Sequence, residues 1–513
     1  MRRAGLFLLT VAFLFLMTGC GGQSTASNPS TKFSPATVPV GLTVTDTPPD
    51  GVTVLFFQLS ITGASLSPGD VSLLSSTYPV SINVSQLQTE AAFLGSMNVT
   101  AGTYTGLTLT VANPQLTIYN GTGSAIGTCA TNTVCQLTPT TTPLTLSFTS
   151  SPFPVTLAAN SPLAFKFDIH LDTVIQPDLT VNLAAPNGVT LSELPPLGTG
   201  KTCPAIGKLR GIVQTVTTSP SNQFTMQSFF GKTFTILTNS STTYNFPSSV
   251  CSTNDFTCLA QNQVVKVTVS LQSDGSLLAT EVDYVQLASQ LSVEGNIIGL
   301  QTSGGNTIID LIIQRNPSDD KSGELPLGHH ARITVPSSGV TYAIDWSGFT
   351  PPSGLSFASA SDLQVGQEVM VMVQGSVSTT STTSTNSGAS TLFGWPAVTF
   401  TASSISLEPG QITGKVSAVD ASSLDFTLKT FPCYFVPKSA TPGAPPTWAP
   451  VSIAVQTTSA TTFKNFPTND ITGVAVGNVV SVHGWLFSTP NGSTASTVAA
   501  DEVLLRPGPM PFF

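Results

Sequence analysis

Leu163-Ala164-Phe165-Lys166-Phe167-Asp168-Ile169-His170-Leu171-Asp172 decides the fold. Leu163, Phe165, Phe167, Ile169 and Leu171 alternate strictly with Ala164, Lys166, Asp168, His170 and Asp172, the period of two that sends successive side chains to opposite faces of a strand. One face is then core and the other wet. Working outward, further short strands read at Gly41 to Thr45, Val52 to Ile61, Val80 to Val84, Tyr104 to Val111, Leu144 to Phe148 and Leu179 to Leu183, separated by Pro, Gly and Asn turns. So many short strands in one segment predict an antiparallel β-sandwich over residues 38–196.

Past Pro195 and Pro196 one template recurs three times. Leu209-Arg210-Gly211-Ile212-Val213, Val293-Glu294-Gly295-Asn296-Ile297 and Ile412-Thr413-Gly414-Lys415-Val416 open the copies. Phe224-Thr225-Met226, Ile309-Asp310-Leu311 and Phe426-Thr427-Leu428 follow, and a third strand ends in Thr243-Tyr244, Thr341-Tyr342 or Thr462-Phe463. Gln263 to Val267, Gly366 to Val371 and Gly477 to Val482 form the fourth strands; Ala279 to Val282, Ala402 to Ile405 and Ala500 to Val503 close the copies. Each copy is one small β unit. Five short strands with a Gly near the middle of the first predict a small curved barrel, because Gly lets a strand bend where a sheet closes. Asn262 stands where the later copies have Gly366 and Gly477. The opening glycines are 84 and then 119 residues apart, so the later copies carry insertions: Asn316 to Gly328, Ser378 to Ser390 and Pro437 to Pro450. Such loops are where binding usually resides. The expected plan is all-β: a leader at 1–20, a flexible linker at 21–37, the sandwich at 38–196 and barrel-like repeats at 205–287, 290–408 and 410–507.

Composition agrees. Only 8% of the 513 residues are charged, against a globular norm of about 25%, and a chain this long exceeds one hydrophobic core. Two arginines, Arg2 and Arg3, precede the apolar run Leu6 to Met17, and Leu16-Met17-Thr18-Gly19-Cys20 closes it. That run is too short to span a bilayer, which needs about twenty apolar residues. Loss of the leader would take the net charge from −9 to −11 by removing Arg2 and Arg3, and no basic patch invites nucleic acid.

The leader resembles a bacterial lipoprotein signal, which implies that Cys20 becomes the first mature residue and carries the lipid. Gly21 after Cys20, with no Asp there, resembles the rule for outer-membrane sorting in cells with two membranes. Residues 38–195 resemble the uncharacterised lipoprotein family catalogued as domain of unknown function 4382. The resemblance rests on Leu42-Thr43-Val44-Thr45-Asp46-Thr47-Pro48-Pro49, Val54 to Ser65, Ala101-Gly102-Thr103-Tyr104-Thr105-Gly106-Leu107 and the Phe165 to Leu171 strand. The three repeats are similar to the family catalogued as domain of unknown function 5666. Neither family implies an activity.

Cys129 and Cys135, six apart, and Cys251 and Cys258, seven apart, sit in polar turn-like segments and read as local disulfides in an exported chain. Cys203 and Cys433 remain to pair or not, since geometry decides it. Zinc spacing is absent, and so are the Gly-x-Ser-x-Gly elbow, the His-Glu-x-x-His helix, the P-loop and the dinucleotide fingerprint. With four histidines (His170, His329, His330, His483) an ordinary hydrolase is disfavoured.

Asp168, His170 and Asp172, at i, i+2 and i+4 on one strand face, are the candidate metal ligands, but a solvated sheet face with Lys166 beside Asp168 outweighs that reading. Asp46 and Asp50 flank a Pro-Pro turn and read as turn acceptors ahead of hard-cation ligands. Asp319, Asp320 and Glu324, near His329 and His330, lack calcium-loop spacing. No catalytic residue and no cofactor are expected. The ligand-binding candidates are Trp346, Trp395, Trp448 and Trp485, because exposed indoles stack on sugars and anchor interfaces, although plugging a barrel end is the commoner role. The sequence thus leads to a lipid-anchored envelope protein, joined to the membrane through its N-terminal lipid. Its expected role is non-enzymatic binding, adhesion or structure, toward a glycan, peptide or envelope protein. An envelope hydrolase with a site assembled from distant residues is the alternative.

Overall fold

In a computed structural model the described residues are 37–506 apart from 48–52, 76–78, 85–86, 88–90, 121–124, 126–128, 131–132, 140, 143–144, 160, 176–178, 197–202, 249, 288–291, 316–326, 347–348, 379–397, 431–450 and 489–495. The chain is all-β. Its one α-helix among the described residues is the single turn Leu171–Val174. No helix among them is long and apolar enough to cross a membrane.

The N-terminal sandwich closes one sheet, in the order Val189–Glu193, Leu163–His170, Thr37–Thr47, Ala92–Thr100, over a second built on Gly106–Asn120 and Thr53–Ser67. Alternation does the sorting. Val40, Leu42, Val44, Phe165, Phe167 and Ile169 from the first sheet meet Phe57, Leu59, Ile61, Leu109 and Val111 from the second in one apolar cluster.

Three sequence expectations are corrected. The sandwich is not wholly antiparallel, since Thr37–Thr47 runs parallel to Leu163–His170; the long chain between them imposes no hairpin, and a long connection is what parallel pairing requires. The decisive strand ends at His170, and Asp172 falls in the helical turn that follows. Its wet face is also dry at one end. Ala164 and Phe93 join the apolar cluster of the first barrel, and Leu271 lies against Gly41.

Three sheets of one order follow. In the first, Ala205–Thr217, Gln223–Ser228 and Thr233–Leu237 form a meander, Gln263–Leu271 pairs back onto the first strand, and Leu277–Leu287 pairs with Gln263–Leu271 and, in parallel, with Thr233–Leu237. The result is a closed barrel of strand order 1-2-3-5-4-1, the Greek-key connectivity of the OB-fold. The same order recurs over 292–408 and 410–505. Each unit has one strand more than expected. The third splits at a turn, so that Thr243–Asn245, Thr341–Ile344 and Thr462–Lys464 pair separately and in parallel with the last strand. In the first and third barrels the split is pinned alike: Thr242 donates its hydroxyl to the Ala279 carbonyl, and Thr461 to that of Ala500.

The opening glycines are explained by close approach. A Cβ on Gly211 would lie 2.4 Å from the Gln227 carbonyl oxygen, and one on Gly295 1.9 Å from that of Ile312. Asn262 forms the same turn as its glycine counterparts, at φ +67° against +94° for Gly366 and Gly477, because Asn tolerates the left-handed region.

Candidate functional site

The densest chemistry lies in the seam where the first barrel meets the second. In the first barrel Arg210 is the register partner of Lys266, and Lys266 of Asp283, so the three share the outer face while Leu209, Val265, Val267 and Val282 fill the inside. In the second barrel Glu294 occupies the position equivalent to Arg210, between the inward Val293 and Gly295. The two equivalent positions meet. Arg210 Nη2 lies 2.7 Å from Glu294 Oε2 and Arg210 Nη1 donates to Oε1 at 2.9 Å, a two-point pair with both side chains almost fully buried. Arg315 Nη1 adds 2.7 Å to Oε1. Burial alone would raise the Glu294 carboxyl, but the two guanidiniums override it and hold it down to about 2.

Alongside, Lys266 Nζ sits 3.4 Å from Asp345 Oδ2 and 3.9 Å from Glu408 Oε2. Asp345 continues the strand Thr341–Ile344, whose parallel register pairs Ile344 with Leu407, and its amide donates to the Leu407 carbonyl at 3.0 Å. Asp345 and Glu408 are therefore neighbours. Burial, reinforced by the Asp345 carboxylate, pushes Glu408 well above the usual carboxylate range against the pull of Lys266. Elsewhere in the second barrel, Asp310 is buried between His330 Nε2 at 2.8 Å and Arg332 Nε at 2.8 Å. Burial would raise its carboxyl, and those two donors lower it instead.

The second and third barrels join differently. Trp485 is wholly buried in the second barrel's apolar cluster, with its ring 5.0 Å from Trp346 and 5.4 Å from Phe349. Its Nε1 donates to the Asp345 carbonyl at 2.8 Å, while Phe487 stacks on Trp346 at 5.9 Å. Trp485 thus joins two modules and is not an exposed platform.

Of the metal candidates, Asp168 pairs with Lys166 at 3.4 Å and His170 faces the Thr190 hydroxyl at 3.4 Å. Asp172 lies in the helical turn that follows the strand, so the three are not at successive outward positions of one strand; among the described residues no group of three His, Cys, Asp or Glu could hold a metal ion. Cys129–Cys135 and Cys251–Cys258 are disulfides, with Cα separations of 5.7 and 5.5 Å. Cys203 is also disulfide-bonded. Cys20, Asp50, Asp319, Asp320, Glu324, Trp395, Cys433 and Trp448 lie outside the described residues, as do the side chains of Asp46 and Asp172.

Sequence reasoning missed Arg210, Lys266, Glu294, Arg315, Asp345 and Glu408. The available signal was complementarity at one template position, with Arg210 in the first copy and Glu294 in the second, in a chain with few charges.

The family model described as Domain of unknown function (DUF4382) matches residues 37–190. That described as Domain of unknown function (DUF5666) matches residues 210–283, the first barrel. No curated protein matches the chain. Among solved structures, Ag(I)CusF is similar at 13% identity and a TM-score of 0.12, covering 19% of this chain and 97% of its own. The tetrameric p202 HIN2 is similar at 8% identity and a TM-score of 0.13, covering 39% of this chain and 92% of its own.

Proposed function

We propose that this chain is a lipid-anchored cell-envelope protein with a non-enzymatic role, binding or scaffolding outside the cytoplasm through its β modules. The observation that carries the reading is the pair of disulfides, Cys129–Cys135 and Cys251–Cys258. Such bonds persist in oxidising compartments and are rare in the cytosol, which agrees with the leader ending at Cys20. The non-enzymatic part draws support from where the buried ionisable groups are committed. Glu294 is held between two arginines, and Asp310 between His330 and Arg332.

The hydrolase alternative draws on His483, whose Nδ1 lies 2.6 Å from Asp501 Oδ1, as an oriented base would. Ser481, two residues earlier, turns its hydroxyl to Gln411 and Thr413 instead.

The test is metabolic labelling of the full chain with a clickable palmitate analogue in a two-membrane bacterium, followed by detergent phase partitioning. Wild type is expected to carry label and enter the detergent phase, and Cys20→Ser to lose both. An unlabelled wild type, or a Cys20→Ser chain that still partitions with membrane, overturns the anchor.

A further inference from the structure

We propose that Lys266 and Asp345 condense into an intramolecular amide, a covalent bond between the first and second barrels, with Glu408 as the proton-transferring acid. The placement of three groups carries this. Lys266, with a side chain 7% exposed, sends Nζ to 3.4 Å from Asp345 Oδ2, which sets the amine against the carboxyl group it would attack. Glu408, 2% exposed, stands 3.9 Å from the same nitrogen and beside Asp345 across the parallel pair. Trp485 holds the Asp345 carbonyl, and Trp346 and Phe349 pack on Trp485. Amine, carboxyl and second carboxyl are thus fixed on three rigid segments beside an aromatic wall.

Burial disfavours charge on an ammonium and a carboxylate alike, so passing a proton from amine to acid costs less here than in water. Burial and the neighbouring Asp345 also raise the Glu408 carboxyl well above the usual carboxylate range. In the reaction a proton first passes from the Lys266 ammonium to the Asp345 carboxylate; the Lys266 lone pair then attacks Asp345 Cγ, and the N–C bond forms as Glu408 delivers its proton to the carbonyl oxygen. Glu408 takes a proton from the nitrogen and passes it to one of the two hydroxyls, which leaves as water as the C–O bond breaks, and the proton of the remaining hydroxyl returns to Glu408 as the amide carbonyl forms. Glu408 ends as it began, and nothing is oxidised or reduced.

Three other lysine–carboxylate pairs among the described residues lack this burial. Lys208–Asp283, Lys166–Asp168 and Lys464–Glu502 have lysine side chains 29%, 31% and 52% exposed. In the same seam Arg210 pairs with Glu294, while Lys266 faces both Asp345 and Glu408. The bond would close a loop between residues 79 apart in sequence, restricting the unfolded chain as a disulfide does.

The experiment is mass spectrometry of the full-length chain, intact and after unfolding and digestion. A branched peptide joining Lys266 to Asp345 is expected, with an intact mass lighter by one water than Lys266→Arg once the substitution is allowed for. Lys266→Arg and Asp345→Ala are expected to lose the branch entirely. Glu408→Gln, folded by circular dichroism, is expected to form it about 100-fold more slowly, the scale of a lost general acid. Wild-type digests with only linear Lys266 and Asp345 peptides, and an intact mass with no loss of water, overturn the bond and leave an ordinary ion pair. A branch forming at wild-type rate in Glu408→Gln overturns the role given to Glu408.

Discussion

The two seams between barrels solve one problem with opposite chemistry. Between the first and second barrels, equivalent strand positions carry Arg210 and Glu294 and meet as a buried ion pair. Between the second and third, the join is the aromatic contact of Trp485 and Phe487 with Trp346 and Phe349. At the template position of Arg210 and Glu294, the third copy has Thr413, which hydrogen-bonds Ser481 of its own barrel. An aromatic seam draws its stability from area removed from water and tolerates approximate geometry. An ionic seam must offset the desolvation of each charge, so it selects one register and penalises any unpaired member. The difference teaches that one barrel template can be joined by area or by charge, depending on which residue occupies a single outward position.

The largest effect should come from breaking the aromatic seam. Trp485→Ala empties a fully buried site and is expected to cost about 4 kcal/mol, read by denaturant titration as an earlier transition for the last two barrels. Glu294→Ala strands Arg210 and Arg315 and should cost about 3 kcal/mol. The double change Arg210→Met, Glu294→Leu should regain most of that loss, and a double variant as unstable as the single would show that the charges contribute more than pairing.

Acid sharpens the contrast. Glu294 binds its proton at about 2 in the fold against an ordinary 4.5, so the unfolded chain takes up the proton first as pH falls. Its contribution is complete above pH 4.5 and disappears as pH falls toward about 2. About 3 kcal/mol is lost over that window. Wild type should lose this stability between those pH values, whereas the Arg210→Met, Glu294→Leu variant should not, as followed by thermal unfolding. The smallest effect belongs to the polar rim of the aromatic seam: Ser496→Ala removes the hydroxyl that donates to Gln364 Oε1 at 3.0 Å and should cost about 1 kcal/mol or less, seen as a slight fall in melting temperature.

Local pattern carried much of the fold. The alternation through Phe165, Phe167 and Ile169 places those residues in the sandwich core, and the recurring openings at Gly211, Gly295 and Gly414 mark three sheets of one order. The close cysteine pairs are bonded. What failed was a long-range pairing and a strand end. The parallel partner of Thr37–Thr47 lies more than a hundred residues away in sequence, and Asp172 left its strand because the chain turned into a helix there.

The sequence by itself determined the β character, the modular repeat and which face of each strand is apolar, because periodicity is written residue by residue. Only the tertiary structure decided which outward faces meet. Arg210, Lys266, Glu294, Asp345 and Glu408 lie on strands separated by tens of residues, and an outward charge reads as solvated until another module covers it. The physical reason is that the free energy of a charge depends on what desolvates and pairs it, a property of packing that no local pattern contains.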